Sequence, residues 1–412
     1  MFVEGVRHDS SCRVCQSKAI KTLYKLHDTP LEDQFLRHED IDQPLYPLEL
    51  AMCEACRYIF LPYIVDPDES YSDYLYNSSV THGLNSHFDQ YASELVKQNA
   101  VPPGTFAVDL GSNDGSMLAS LRKAGLEVLG VEPASAIAKQ ANENGLPTIN
   151  DYFTEDVLNS ITAEHGKPGV ITANYMYANI DDLVEFTRCV HSLLAEDGIF
   201  VIQTGYHPEQ MKIGMFDYIY HEHFSYFTLD FLDRFLAKNG LQIIDASIHA
   251  PKGGSIRITA QHAGGSRVVS SNVVEIIRSE QAQGATDPQW YEKFYVLVQQ
   301  EKNRITGRLD EYKSAGKTIA GFGASHSTTT LTYEFGLTDY LDYIVDDNPD
   351  KHGTFSPGAK IPVYPSSHMQ CSPPDCIVLL AWQHAKTIYE KYRHQNRNID
   401  WIIPFSEFKE YL

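Results

Sequence analysis

The run Phe216-Asp217-Tyr218-Ile219-Tyr220-His221-Glu222-His223-Phe224-Ser225-Tyr226-Phe227 crowds two imidazoles, two carboxyls and three phenols into one short segment. Few structural needs call for so many titratable groups together. Histidine is the side chain best suited to take a proton near neutral pH, and an adjacent Glu or Tyr orients it or stabilises its charged form. One of the two histidines therefore reads as a general base. Structural hydrogen bonding and metal ligation compete with that reading. His221 and His223 stand two apart, a spacing that converges on an ion only from an extended segment, unlike the i,i+4 pair of H-E-x-x-H on a helix.

A second constellation lies near the N-terminus. Cys12 and Cys15 form one C-x2-C pair, and Cys53 and Cys56 form another. Each can close a tight turn that aims two thiolates at one ion, and together they supply the four tetrahedral ligands of a structural zinc site with no position left open. Buried reduced cysteines are the plainer alternative, but two such pairs are hard to obtain by accident. Neither pair opens a helix in a thioredoxin-like pattern, which argues against a redox role.

The third is a nucleotide site. Residues 105–111, Thr-Phe-Ala-Val-Asp-Leu-Gly, read as a buried strand ending in a glycine turn, and Ser112-Asn113-Asp114-Gly115 leads on into a helical pattern. A second strand ends at Glu132-Pro133, 21 residues beyond Gly111. An acid at that place accepts hydrogen bonds from ribose hydroxyls, while the glycine turn lets backbone approach the ligand. The G-x-G-x-x-G of a dinucleotide site is missing, and Asp109 would repel a pyrophosphate but can pair with the aminoacyl end of S-adenosylmethionine. Further strands are expected at 147–151, 169–174 and 198–203, which brings Asp109, Gly111, Ser112, Asn113, Glu132, Pro133, Asp151 and Asn174 to one rim of a mostly parallel sheet.

These groups need elements to hold them. The chain of 412 residues is long enough for several cores. We expect a zinc-binding module over 1–75, an α/β nucleotide-binding domain over 76–263, a loop and connecting helix over 264–315, and a Rossmann-like domain over 316–412. The last rests on Lys317–Ser325 as strand and glycine turn, and on Leu341-Asp-Tyr-Ile-Val-Asp346 as a strand with an acidic end. Lys252-Gly253-Gly254-Ser255-Ile256-Arg257 suits an anion or, equally, a hairpin turn. The tyrosine-rich stretch 71–79 reads as interdomain packing or as a lid. With 33 basic against 54 acidic residues the net charge is −21, which disfavours nucleic acid and anionic lipid as partners. The lack of an apolar run of about 20 residues or of a signal h-region leads us to expect a cytoplasmic protein off the membrane.

In this order, the four cysteines, the run Val108-Asp-Leu-Gly-Ser-Asn-Asp-Gly115 with Gly130-Val-Glu-Pro133, the segment 220–227 and Val345-Asp-Asp-Asn-Pro349 resemble the sugar C-methyltransferase family. That family acts on nucleotide-linked 4-keto-6-deoxyhexoses in deoxysugar and antibiotic biosynthesis. The resemblance spans nearly the whole chain. It implies structural zinc on the cysteines, S-adenosylmethionine in a central doubly wound domain, a C-terminal Rossmann-like domain, and a nucleotide sugar between them. It also implies His223 as the base that removes a proton α to the ketone, with Tyr220 and Glu222 beside it and Tyr76 contacting the sugar; His221, from the same cluster, is counted with them as a catalytic candidate. Three places depart from the family pattern: Asn179 where a His precedes Asp-Asp, Lys252 where a His precedes Gly-Gly-Ser, and His326 within Ser-His-Ser after Gly-x-Gly-Ala. With Ser255 and Arg257 they mark the expected substrate side. A homologue that binds S-adenosylmethionine without turnover, a methyltransferase for a non-sugar acidic carbon, and an NAD-dependent enzyme using Gly321-Phe-Gly-Ala324 are the competing readings.

Overall fold

The computed structural model describes residues 5–66, 84–394 and 399–406. The tyrosine-rich stretch with Tyr76 lies outside the described residues. No helix among those described is long and apolar enough to cross a membrane.

Strand β1 (Val6–His8) pairs with β5 (Tyr63–Val65), while β2 (Ile20–Lys25), β3 (Glu49–Cys53) and β4 (Ile59–Phe60) form an antiparallel meander. Both cysteine pairs close alike. The residue after each, Gln16 and Arg57, takes a left-handed φ of 61° and 65° and returns its N–H to the carbonyl of the first cysteine at 2.8 Å. The meander is completed from far along the chain, because Ser225–Tyr226 pairs antiparallel with β4.

The central sheet has seven strands. Strands β6 (Phe106–Leu110), β7 (Glu127–Val131), β8 (Thr148–Ile149), β9 (Val170–Asn174) and β10 (Ile199–Gly205) run parallel. With Ser225–Tyr226 counted as β11, the antiparallel hairpin β12 (Leu241–His249) and β13 (Ser255–His262) finishes the edge. The order is β12-β13-β10-β9-β6-β7-β8, so chain direction across the sheet reverses between β6 and β9 and opens a crevice at their carboxyl ends. The third strand is shorter than the expected 147–151. The helix Leu84–Gln98 turns Leu84, Phe88, Tyr91, Ala92 and Leu95 inward, an apolar stripe at helical spacing.

Residues 264–315 hold two helices, Ser271–Gln283 and Pro288–Ser314, where a loop and one helix were expected. The first starts at a Ser270 cap, and Gly284 in the left-handed region ends it. Beyond them β14 (Ile319–Phe322), β15 (Tyr343–Asp346), β16 (Val363–Pro365), β17 (Cys376–Leu379) and β18 (Asp400–Ile402) form a parallel sheet in the order β16-β15-β14-β17-β18. One apolar core joins the modules. Leu48 and Leu50 from the meander, Phe216 and Ile219, Val298 and Ile305 of the long helix, and Leu331 and Phe335 beyond β14 are buried in the same cluster.

Gly130 in β7 lets the cofactor-side turn lie against the sheet: a Cβ there would come within 2.4 Å of Ser112 Oγ and 2.8 Å of Leu118 Cδ1. Gly130→Ala should destabilise the protein by about 1–3 kcal/mol through overpacking. The check is the urea midpoint of unfolding, and an unchanged midpoint would contradict the close approach.

Candidate active site

A cavity of about 1320 Å³ opens between the central and C-terminal modules. Gly111, Asn113, Glu132, Pro133, Asp151 and Asn174 line it from the nucleotide-binding rim. Gly111 has a φ of +67°, and a Cβ on it would lie 2.8 Å from Met176 Cγ, so glycine keeps this turn open to a ligand. The Glu132 carboxylate is fixed by the N–H groups of Asn113 and Ala134, each at 2.9 Å, which aims its remaining lone pairs at the cavity. Burial raises its pKa above the usual carboxylate range.

Asp109 does not line the cavity. It sits beneath the turn, 2 % exposed, with Oδ1 accepting from Thr172 Oγ1 at 2.6 Å and Asn174 Nδ2 at 3.1 Å. Burial pushes its carboxyl up to about 7. Its geometric effect is to turn Asn174, whose buried Oδ1 has no hydrogen-bond partner among the described residues. An unmet buried acceptor at this rim fits the ammonium of an aminoacyl group. Ser112 is likewise below the surface, its Oγ packed against Gly130.

Tyr220, Glu222 and His223 line the cavity from the opposite side. His223 Nδ1 is 3.2 Å from the Tyr218 carbonyl, which can only accept, so the proton is on Nδ1 and Nε2 carries a lone pair. Tyr220 Oη lies 3.1 Å from that Nε2 and donates to it. Burial lowers His223 to about 4, so the ring is neutral at neutral pH. Glu222 is pushed well above the usual carboxyl range by burial and then by Glu32 and Asp33, which favours its protonated form. His221 points the other way. Its backbone N–H and its Nδ1 both meet Glu32 Oε1 at 2.8 Å, tying the segment to the N-terminal module. Against the upward push of burial, His221 holds Glu32 below its usual range.

The expected substrate residues divide. Asn179, Lys252 and His326 line the cavity, and His326 Nε2 is 3.8 Å from Glu222 Oε1. Ser255 and Arg257 do not line it. Gly253 and Gly254 make the β12–β13 turn, Ser255 Oγ donates to the Pro251 carbonyl at 2.6 Å, and Arg257 reaches Gln203 and Glu94 at 2.8 and 3.1 Å behind the sheet. That loop is the turn of the antiparallel β12–β13 hairpin, and of its residues Lys252 and Gly253 reach the cavity. The sequence reading missed Asp217, Trp382 and Gln383. Trp382 Nε1 and Gln383 Nε2 donate to Asp217 Oδ2 at 2.9 and 3.0 Å, and both donors line the cavity. Their place just past the end of β17, at the ligand-binding end of a parallel sheet, was the available signal.

The four cysteine Sγ atoms lie within 4.8 Å of one another, with Cys12–Cys56 at 3.6 Å and Cys15–Cys53 at 3.5 Å. A zinc tetrahedron with Zn–S near 2.3 Å spaces its sulfurs about 3.8 Å apart, so the set fits that ion, and these gaps are too wide for disulfides of about 2 Å.

Residues 12–71 match a family described as "Putative zinc binding domain", 85–246 match "Methyltransferase domain", and 250–405 match "C-methyltransferase C-terminal domain". C-methyltransferase NovU of Streptomyces niveus is 31% identical over 406 residues, covering 98% of this chain and 97% of the relative. This chain belongs to the C-methyltransferase family. An uncharacterised methyltransferase of Bacillus pumilus is 28% identical over 127 residues, 29% of this chain and 58% of its own. Among solved structures, magnesium protoporphyrin IX methyltransferase from Synechocystis is similar at 16% identity and a TM-score of 0.36, over 46% of this chain and 90% of its own. The glycopeptide N-methyltransferase MtfA gives 12% and 0.33, over 42% and 93%. The protein is an S-adenosylmethionine-dependent methyltransferase with an N-terminal zinc-binding module.

Cys53→Ser removes one thiolate from a closed four-ligand site. It should lower the zinc content of the purified protein and its unfolding temperature, checked by metal analysis and thermal denaturation. Full zinc content with an unchanged transition would rule out ligation by Cys53.

Proposed function

We propose that this C-methyltransferase methylates a carbon α to a ketone, on a nucleotide-linked 4-keto-6-deoxy sugar, with His223 as general base. The observation that carries the reading is the tautomer of His223. With its proton held on Nδ1 by the Tyr218 carbonyl, Nε2 is the accepting nitrogen at the cavity wall, and the Tyr220 hydroxyl that donates to it at 3.1 Å has to give way when the substrate proton is taken. A hydrogen α to a ketone is acidic enough for a positioned imidazole to remove. The Glu222 carboxyl, which burial favours in its protonated form, supplies a hydrogen-bond donor that an enolate oxygen needs, in a buried place where such a bond counts most. Tyr220 orients the acceptor nitrogen.

S-adenosylmethionine, when bound, supplies an electrophilic methyl carbon. The chain's own groups for holding it are Glu132 toward the ribose, Asn174 toward the aminoacyl end, and the open turn at Gly111, with Asp109 fixing Asn174 from below. On the other side Lys252 offers an ammonium and His326, whose pKa burial lowers, a neutral imidazole donor for a diphosphate inside a strongly acidic protein, and Asn179 adds a neutral amide. The cavity exceeds the roughly 300–1,000 Å³ of a single-ligand pocket, which suits cofactor and nucleotide sugar together. The name of the Streptomyces niveus relative supports transfer to carbon.

His223→Asn should lower kcat by about 10²–10⁴-fold while leaving S-adenosylhomocysteine affinity in calorimetry unchanged. Because the imidazole stays neutral down to about 4, kcat/KM of the parent enzyme should hold from neutral pH into the mildly acidic range and fall only as the ring takes a proton. Carbon methylation is followed by NMR with labelled S-adenosylmethionine and 4-keto-6-deoxy sugar nucleotides. Full turnover by the Asn variant would remove His223 as base, and failure of every keto sugar would remove the acceptor class.

A further inference from the structure

Arg13 lies between the first two cysteines, with a side chain only 9% exposed. Its guanidinium joins parts of the molecule that are far apart in sequence. Nη1 donates to the Leu61 carbonyl at 2.9 Å and to Asp9 at 3.1 Å, and Nη2 donates to the Phe224 carbonyl at 2.9 Å and to Tyr58 Oη at 3.3 Å. Nε faces Asp181 Oδ1 at 3.7 Å, and that carboxylate is also gripped by Arg7 at 2.6 and 2.8 Å. The plane sits over the Phe60 ring, 5.3 Å from its centroid. Tyr58 Oη in turn meets Ser225 Oγ at 2.5 Å. Phe224 follows His223 directly and itself lines the cavity, and Asp181 lines it beside Asn179.

We propose that Arg13 is a positioning residue for methyl transfer, fixing the segment that carries His223 and the wall at Asp181 against the cysteine knuckle. The proposal rests on the reading of His223 as base. The physical argument is the fork of the guanidinium. The two terminal nitrogens in a dry site satisfy two main-chain carbonyls, the Asp9 carboxylate and the Tyr58 hydroxyl at once, with Asp181 within ion-pair reach of Nε, and no single ammonium can span them. The Phe224 carbonyl is fixed one residue from the imidazole, so losing this bond lets the base move relative to the acceptor carbon, and catalysis is steep in such displacement. The cysteine cluster holds the main chain from which Arg13 projects. Cavity shape is thereby linked to a metal site that takes no part in the reaction.

The test compares Arg13→Gln, Arg13→Lys and Tyr58→Phe with the parent in the full-length, zinc-containing protein. For Arg13→Gln, kcat should fall by about tenfold or more. Zinc content and S-adenosylhomocysteine affinity should be retained, hydrogen exchange should rise at 220–226, and the acid limb of kcat/KM should move upward as His223 gains solvent. Arg13→Lys should recover part of the loss. A kcat and acid limb equal to the parent's would overturn the proposal, as would exchange raised across the whole chain together with lost cofactor affinity. Should Arg13→Gln not fold, Tyr58→Phe, which removes only the hydroxyl reaching Arg13 and Ser225, must move the acid limb the same way, and an unmoved limb overturns the proposal. If His223→Asn retains turnover, the base reading falls, while exchange at 220–226 still decides the anchoring.

Discussion

Residues 216–227 have to be buried to form one wall of the cavity, and eight of the twelve side chains in the run carry a polar atom that water would otherwise satisfy. Burying such a group without a partner costs several times what a made hydrogen bond returns. The protein meets this from both ends of its chain. Glu32 takes His221, Arg13 takes the Phe224 carbonyl, and Tyr58 takes Ser225. From the C-terminal side Trp382 and Gln383 take Asp217, and Thr330 Oγ1 donates to the Ile219 carbonyl at 2.9 Å. The interlocking of three modules is thus what a dry, polar wall requires.

The same dryness sorts the carboxyl groups. Burial moves Asp109 and Asp217 up to about 7 and pushes Glu222 well above the usual carboxyl range, whereas Glu32 is held down by its imidazole neighbour. Carboxyls of one chain are thereby divided into donors and acceptors by surroundings alone. The excess of acids that sets the overall charge says nothing of this division.

Local pattern revealed the strands with their glycine turns and the paired cysteines, because each is written in a few adjacent residues. Strands β14 and β15 lie where the runs Lys317–Ser325 and Leu341–Asp346 suggested, and the four thiols converge as their spacing required. What adjacent residues cannot disclose is which way a side chain faces once the sheet is twisted and packed. Arg257 follows the Gly-Gly turn but alternation along β13 points it behind the sheet, and Asp109 ends a strand yet lies under the turn instead of at its surface. Pairing across long separations was equally hidden. Nothing near Ser225 announces that it finishes a sheet begun by residues 20–60, since a two-residue strand has no period to read.

That late strand has a bearing on how the chain is made. The N-terminal meander leaves the ribosome with the edge of β4 uncovered, and its partner is synthesised only after the central nucleotide-binding strands β6–β10. At about 5–20 residues per second the interval is roughly 10–30 s. Over that time an open edge is available to other nascent chains. A strand of two residues, Ile59–Phe60, offers such neighbours little to pair with, so its brevity is itself a safeguard during translation.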